Sequence, residues 1–125
     1  MSNDKKLKLY FYHTANNKSP IREFYCSLNA KIQRKVLAYI DLLINQNGQL
    51  GLPYTKYIED KIWELRVDFD KNYYRIFYFI FDGEKIILLH GFNKKTNKTP
   101  QKEINKAQKR RQDYLINFND ELYEF

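Results

Sequence analysis

Cysteine, histidine and glycine are scarce in this chain, and each scarcity excludes a class of site. The single cysteine, Cys26, cannot form an intramolecular disulfide, which fits a reducing compartment. The two histidines, His13 and His90, lie far apart in the sequence, and there is no cysteine cluster, so we expect neither a metal site nor a cofactor. With only four glycines there is no Gly-rich phosphate-binding loop.

Long apolar runs are also missing. No stretch is long enough to span a bilayer, so we expect no membrane contact. Residues 7–12 alternate between apolar and polar side chains, which predicts a strand rather than the apolar segment of a signal peptide. The expected location is the cytoplasm.

Positive charge and aromatic side chains are abundant instead. The net charge is +7, and 17% of the residues are aromatic, enough to build one core, so we predict a single domain over residues 1–125. Between Lys94 and Arg111 there are eight Lys and Arg residues against one acid, Glu103. Such a patch attracts RNA, DNA, anionic lipid or an acidic protein.

Three helices are predicted from apolar spacing and end signals. Ser19 caps the first helix, and Pro20 occupies its first position. Asn29 caps the second, which ends at Asn47 and Gly48. The third begins at Thr99-Pro100, with the threonine as its cap.

Four strands are predicted, over residues 7–12, 62–68, 73–81 and 85–92, with a connector at 49–60. The order β-α-α-β-β-β-α indicates an α+β fold. Its small, mainly antiparallel sheet should carry the first two helices on one face. A C-terminal helix follows, and residues 118–125 form a tail that could be disordered, pack on the domain or contact a partner.

Four cations converge if the last three strands are neighbours: Arg66, Arg75, Lys94 and Lys95. Arg75 lies on an otherwise apolar strand and needs a partner, which is either Glu64 or Asp68, or a bound phosphate. Arg66 alone is also consistent with a solvated side chain, and the lysine pair with a solvated turn. Together they predict a phosphate site, with RNA as the favoured ligand.

Two other side chains, His90 and Glu64, have both a structural and a chemical interpretation, and Cys26 has only a structural one. His90 alternates with Leu88 and Phe92, so it is a core histidine or an acid–base group. Cys26 is expected in the core, on the apolar side of its helix. Glu64 is a candidate general base, or the ion-pair partner of an arginine.

Several elements in one order resemble the phage-derived HigB-like toxins of the RelE/ParE superfamily, over roughly residues 7–115. They are Gly51-Leu52-Pro53, Trp63-Glu64-Leu65-Arg66, Tyr74-Arg75-Ile76-Phe77-Tyr78, Leu88-Leu89-His90-Gly91-Phe92 and Lys94-Lys95-Thr96 with Lys98-Thr99-Pro100. The resemblance implies a RelE-like fold. It also implies the toxin of a type II toxin–antitoxin pair, a ribosome-dependent and metal-independent mRNA endoribonuclease that inhibits translation.

The resemblance also implies partners and site residues. The partners are a cognate antitoxin, often a helix-turn-helix protein, and mRNA on the ribosome; operator DNA is contacted only through the antitoxin. The catalytic positions matched are Arg75, Arg66, Lys94 and Lys95, and the expected RNA-binding residues are Lys56, Lys98, Lys102 and His90. A catalytic tyrosine near the C-terminus of RelE has no counterpart where we would look for it, at Thr96-Asn97.

Two other functions stay open at the level of sequence. The basic patch and the aromatic residues are also typical of a module that binds RNA or DNA without cutting it. A degenerate toxin that serves only as an antitoxin partner or co-repressor fits the same residues.

Overall fold

The computed structural model describes residues 7–94, 96 and 98–123, and these residues form one sheet with helices on both faces. The strands are β1 Lys8–Tyr12, β2 Thr55–Glu59, β3 Ile62–Phe69, β4 Asn72–Phe81, β5 Lys85–Lys94 and β6 Asp120–Tyr123. The helices are α1 Pro20–Ser27, α2 Ala30–Asn45 and α3 Gln101–Asn117. The strand order is β2-β3-β4-β5-β1-β6, with only the β1–β5 pair parallel among these strands. The predicted α+β class is confirmed.

Two apolar cores lie on opposite faces of this sheet. Alternate residues of β3 such as Leu65 and Val67 pack with α1 and α2, which therefore cover one face as predicted. The second core lies under α3 and includes Phe77, Phe79 and Tyr114. Because β4 and β5 are central, they contribute buried side chains to both faces, which explains their nearly continuous apolar sequence. Within the described residues, no helix combines the length and the apolarity needed to cross a bilayer.

Two predicted helix starts are confirmed, and the third is wrong. The side chain of Ser19 accepts a hydrogen bond from the Arg22 amide, and that of Asn29 accepts one from Ile32. Helix α3, in contrast, begins at Gln101 with Pro100 as its cap residue and no side-chain capping bond. Thr99 does not cap this helix, because its hydroxyl is engaged with side chains of the sheet.

Strands β2 and β6 were not predicted. Strand β2 lies in the predicted connector and pairs antiparallel with β3. Strand β6 takes residues 120–123 of the predicted tail and pairs antiparallel with β1, whereas residues 124 and 125 lie outside the described part. The carboxylate of Asp120 holds β6 in place, because it accepts hydrogen bonds from Tyr114 at 2.6 Å and from Lys85 at 3.0 Å.

A bulge in β5 changes which side chains face α3. Phe77 pairs with His90, but the next residue, Tyr78, pairs with Leu88, so Leu89 is extra. An extra residue interrupts the alternation of a strand. Leu88 therefore belongs to the core under α1 and α2, whereas His90 stacks on the α3 side against Phe92. The expectation that His90 shares a face with Leu88 is wrong for this reason.

Candidate functional site

The register of the sheet brings three of the four predicted cations, Arg66, Arg75 and Lys94, to one place. Arg66 of β3 lies directly opposite Arg75 of β4. Lys94, at the end of β5, lies opposite Tyr73, two residues before Arg75 and on the same face. Lys56 of the edge strand β2 lies opposite Glu64. We call Lys56, Arg66, Arg75 and Lys94 the cationic cluster; it lies on the α3 side of the sheet.

Glu64 is the anion at the centre of this cluster, and its side chain is fully buried. One carboxylate oxygen accepts a hydrogen bond from Arg66 Nη1 at 3.0 Å and lies 3.9 Å from Arg75 Nε. The other oxygen accepts a hydrogen bond from Thr99 Oγ1 at 2.8 Å. Two arginines directly opposite each other repel, so this carboxylate is what allows the pair to form.

Arg75 lies beneath the surface rather than on it. Its exposed fraction is 0%, and its Nη1 donates to Asp68 Oδ1 at 2.7 Å and to the Tyr74 carbonyl at 2.9 Å. The ring of Tyr73 lies 5.5 Å from its guanidinium carbon. Both predicted protein partners, Glu64 and Asp68, are therefore present. Among the described residues, no group hydrogen-bonds to its buried Nε and Nη2, although such groups are normally hydrogen-bonded.

Lys94 is a buried ammonium within this cluster. Its Nζ donates to Thr99 Oγ1 at 3.0 Å, and only 7% of the residue is exposed. Burial lowers the pKa of Lys94, and the positive charges of Arg75 and Arg66 lower it further, whereas Glu64 opposes the change. A lysine in such a place gives up its proton more readily than a surface lysine does.

The other predicted site residues have different positions. Lys56, Lys98 and Lys102 are exposed, and only Lys56 belongs to the cationic cluster. Lys102 lies in the first turn of α3, and Lys98 lies just before that helix. Lys95 lies outside the described residues.

The side chain of His90 makes its hydrogen bonds to side chains of α3 and not to the cationic cluster. Its Nε2 is 2.6 Å from Glu103 Oε1, and its Nδ1 is 3.3 Å from Arg110 Nη1. A guanidinium can only donate, so Nδ1 accepts and Nε2 carries the proton, which is the neutral form of the ring. Burial lowers the pKa of His90 and favours this form, with Arg110 acting in the same direction and Glu103 against it. These contacts are those of a core histidine.

The sequence did not indicate the roles of two residues of the site, Thr99 and Tyr73. The sequence predicts that Thr99 caps a helix. The structure shows instead that its hydroxyl lies between Lys94 and Glu64. Tyr73 alternates with Arg75 along the strand, and this spacing was the available signal that it covers the guanidinium.

Cys26, which was expected in the core, is exposed, because the buried side of α1 is formed by Ile21 and Tyr25.

The described side chains include no group of three or more His, Cys, Asp or Glu residues arranged to hold a metal ion. The cationic cluster, together with Glu64 and Thr99, contains two guanidinium groups, two ammonium groups, one buried carboxylate and one hydroxyl. Guanidinium matches the geometry of phosphate oxygens, and Arg66, whose side chain is 20% exposed, is the arginine within reach of a ligand.

Comparison with known proteins places the chain in a family. No curated protein is matched by this chain. The family model described as "Phage derived protein Gp49-like (DUF891)" matches residues 16–112. That span runs from the segment before α1 into α3, and it includes the whole cationic cluster together with Glu64 and Thr99. This chain belongs to the phage-derived Gp49-like family.

Proposed function

We propose that this protein is the toxin of a type II toxin–antitoxin pair and acts as a ribosome-dependent mRNA endoribonuclease of the HigB kind. The observation that carries the proposal is the cationic cluster, in which Arg66 and Lys94 are fixed around the buried Glu64. Membership of the toxin-like Gp49-like family supports it. In this proposal the partners are an antitoxin, which also mediates contact with operator DNA, and mRNA on the ribosome.

The proposed reaction uses the ribose 2′-OH as the nucleophile. The 2′-OH releases its proton to solvent water, its oxygen attacks the adjacent phosphorus, the bond to the 5′-oxygen breaks, and the products are a cyclic 2′,3′-phosphate and a 5′-hydroxyl. Charge on the phosphorane must be neutralised, and the 5′-oxygen must receive a proton. Arg66 suits the first task because it is the partly exposed arginine of the cationic cluster. Lys94 suits the second because its lowered pKa makes its ammonium a stronger acid.

Arg75 and Glu64 have supporting roles in this scheme. Both side chains are fully buried, so neither meets the RNA in this conformation. Arg75 holds Asp68, and Glu64 fixes Arg66 and Thr99. Glu64 is thus a holder of the cations rather than the base that takes the 2′-proton. Alignment of the 2′-OH is then left to the ribosome, which fits a ribosome-dependent enzyme.

The test is cleavage of mRNA by the purified protein, with and without translating ribosomes. The wild type should cut ribosome-bound mRNA, and Arg66→Ala should lose about 100-fold or more in rate, since removing one transition-state donor costs roughly 10²–10³-fold. Arg34→Ala, at an exposed position of α2 on the other face, is the matched control and should cut normally. Intact mRNA with the wild type would overturn the proposal.

One observation favours a second candidate, an RNA-binding module that does not cleave. The carboxylates of Asp68 and Glu64 pair with Arg75, and the Arg75 side chain is fully buried, so it is not available to a phosphate. Such a surface would bind RNA through Lys56 and Arg66, with affinity that falls as salt rises and with no cleavage products. The same assay separates the two candidates.

A further inference from the structure

Thr99 joins two groups of the site that lie on different strands. Its hydroxyl is 3.0 Å from Lys94 Nζ on β5 and 2.8 Å from Glu64 Oε2 on β3. The residue itself lies two positions before α3 and is partly buried. A side chain outside the sheet therefore bridges an edge-proximal strand and the end of a central one.

The direction of both hydrogen bonds is fixed by chemistry. An ammonium can only donate, and an ionised carboxylate can only accept. The Thr99 hydroxyl therefore accepts from Lys94 and gives its single proton to Glu64. Glu64 is in turn held by Arg66. The ammonium donates to the hydroxyl and the hydroxyl donates to the carboxylate, which also accepts from the guanidinium of Arg66.

A threonine just before a helix often caps it, but Thr99 does not cap α3. Pro100 is the cap residue of α3, and no side chain makes a capping hydrogen bond there. The hydroxyl contacts described above involve only groups of the candidate site. Its interactions are thus directed at the cluster and not at the start of the helix.

We propose that Thr99 is a positioning residue that orients the ammonium of Lys94 for proton donation to the leaving 5′-oxygen of RNA. This inference rests on the proposed function. The lysine side chain is a flexible four-carbon stem, and two hydrogen bonds through one hydroxyl fix its end relative to Arg66. Loss of the hydroxyl leaves the charge in place but removes the hydrogen-bonded link between the ammonium and Glu64.

Two substitutions separate the hydroxyl from the shape of the side chain. Thr99→Val keeps the volume and removes the hydroxyl, whereas Thr99→Ser keeps the hydroxyl. Thr96→Val, at an exposed position of the same loop, is the matched control. In single-turnover cleavage of ribosome-bound mRNA, we expect Thr99→Val to lower kcat 10- to 100-fold with KM unchanged, and Thr99→Ser and Thr96→Val to stay near the wild type.

A second measurement is independent of cleavage. The side-chain ammonium resonance of Lys94, identified by its loss in Lys94→Arg, is recorded by nitrogen-detected or proton–nitrogen NMR at low temperature. A held ammonium exchanges its protons slowly, so the resonance should be seen in the wild type and in Thr99→Ser and be lost in Thr99→Val.

The two readouts keep this inference distinct from the proposed function. An unchanged Lys94 resonance in Thr99→Val overturns the positioning role, whatever the protein does to RNA. A Thr99→Ser variant as slow as Thr99→Val also overturns it, because the hydroxyl would then not be the cause. A wild type that cuts nothing, with the resonance lost in Thr99→Val, removes the catalytic purpose but leaves the hydroxyl's hold on Lys94 established.

Discussion

Replacement of Glu64 by glutamine tests whether the buried carboxylate holds the site together. The substitution keeps the size of the side chain and removes its charge, so no cavity contributes to the effect. Arg66 Nη1 donates to one carboxylate oxygen and Thr99 Oγ1 to the other, and the amide puts an NH2 group in the place of one of these two acceptors. Donors would then face donors in a buried space.

The magnitude follows from the distances. At the 3.9 Å that separates Arg75 Nε from the carboxylate, the attraction of two unit charges is about 4 kcal/mol at an effective dielectric constant of about 20. Breaking a buried pair by removing one partner costs about 3–5 kcal/mol. Arg75 keeps its contact with Asp68, which favours the lower end of that range. We therefore expect a loss of about 3 kcal/mol in the free energy of unfolding and a fall in Tm of roughly 10 °C.

The assay is urea unfolding followed by the fluorescence of Trp63, the only tryptophan of the chain. Glu23→Gln, at an exposed position in the first turn of α1, is the control; it should change the free energy of unfolding by less than about 0.5 kcal/mol. A Glu64→Gln variant as stable as this control would refute the reasoning, because the arginine pair would then not depend on the carboxylate.

Three further predictions concern parts of the fold around the site. Gly91→Ala should cost about 1–3 kcal/mol in urea unfolding, because a Cβ at this position overlaps the ring of Phe24; Gly51→Ala, which meets no neighbouring atom, should be near neutral. Burial lowers the pKa of His90, so the unfolded chain binds its proton at a higher pH than the folded chain. Stability should therefore fall as the pH drops below about 6.5, and His90→Gln should flatten this dependence; an unchanged slope would contradict it. Tyr114→Phe removes a 2.6 Å hydrogen bond to the carboxylate of Asp120 in β6. It should lower the free energy of unfolding by about 1–2 kcal/mol. It should also speed amide hydrogen exchange in β6, and unchanged exchange there would count against this anchor.

Much of the fold follows from local patterns. The caps at Ser19 and Asn29 and the alternation in β3 are properties of a few neighbouring residues, so they can be read from the sequence. Strand β2 has a mixed, partly exposed sequence and becomes a strand because β3 offers it a partner. Strand β6 and the bulge at Leu89 likewise depend on pairings between distant segments, which no local pattern encodes.

The candidate site was likewise predictable only in part. The convergence of Arg66, Arg75 and Lys94 follows from neighbouring antiparallel strands and was predicted. The complete burial of Arg75 was not, because it depends on the contacts made by Asp68 and by the Tyr73 ring. The bridge formed by Thr99 links residues that are distant in the sequence, so it is visible only in three dimensions.

The most direct test of the account is induced expression in cells of the wild type, Arg66→Ala and Arg34→Ala, with growth followed and the 5′ ends of transcripts mapped. The account predicts growth arrest and new ends within translated regions for the wild type and for Arg34→Ala. Both effects should be lost in Arg66→Ala at equal levels of soluble protein. Arrest and cleavage that persist in Arg66→Ala, or normal growth with soluble wild-type protein, would contradict the claim that the cationic cluster cleaves mRNA.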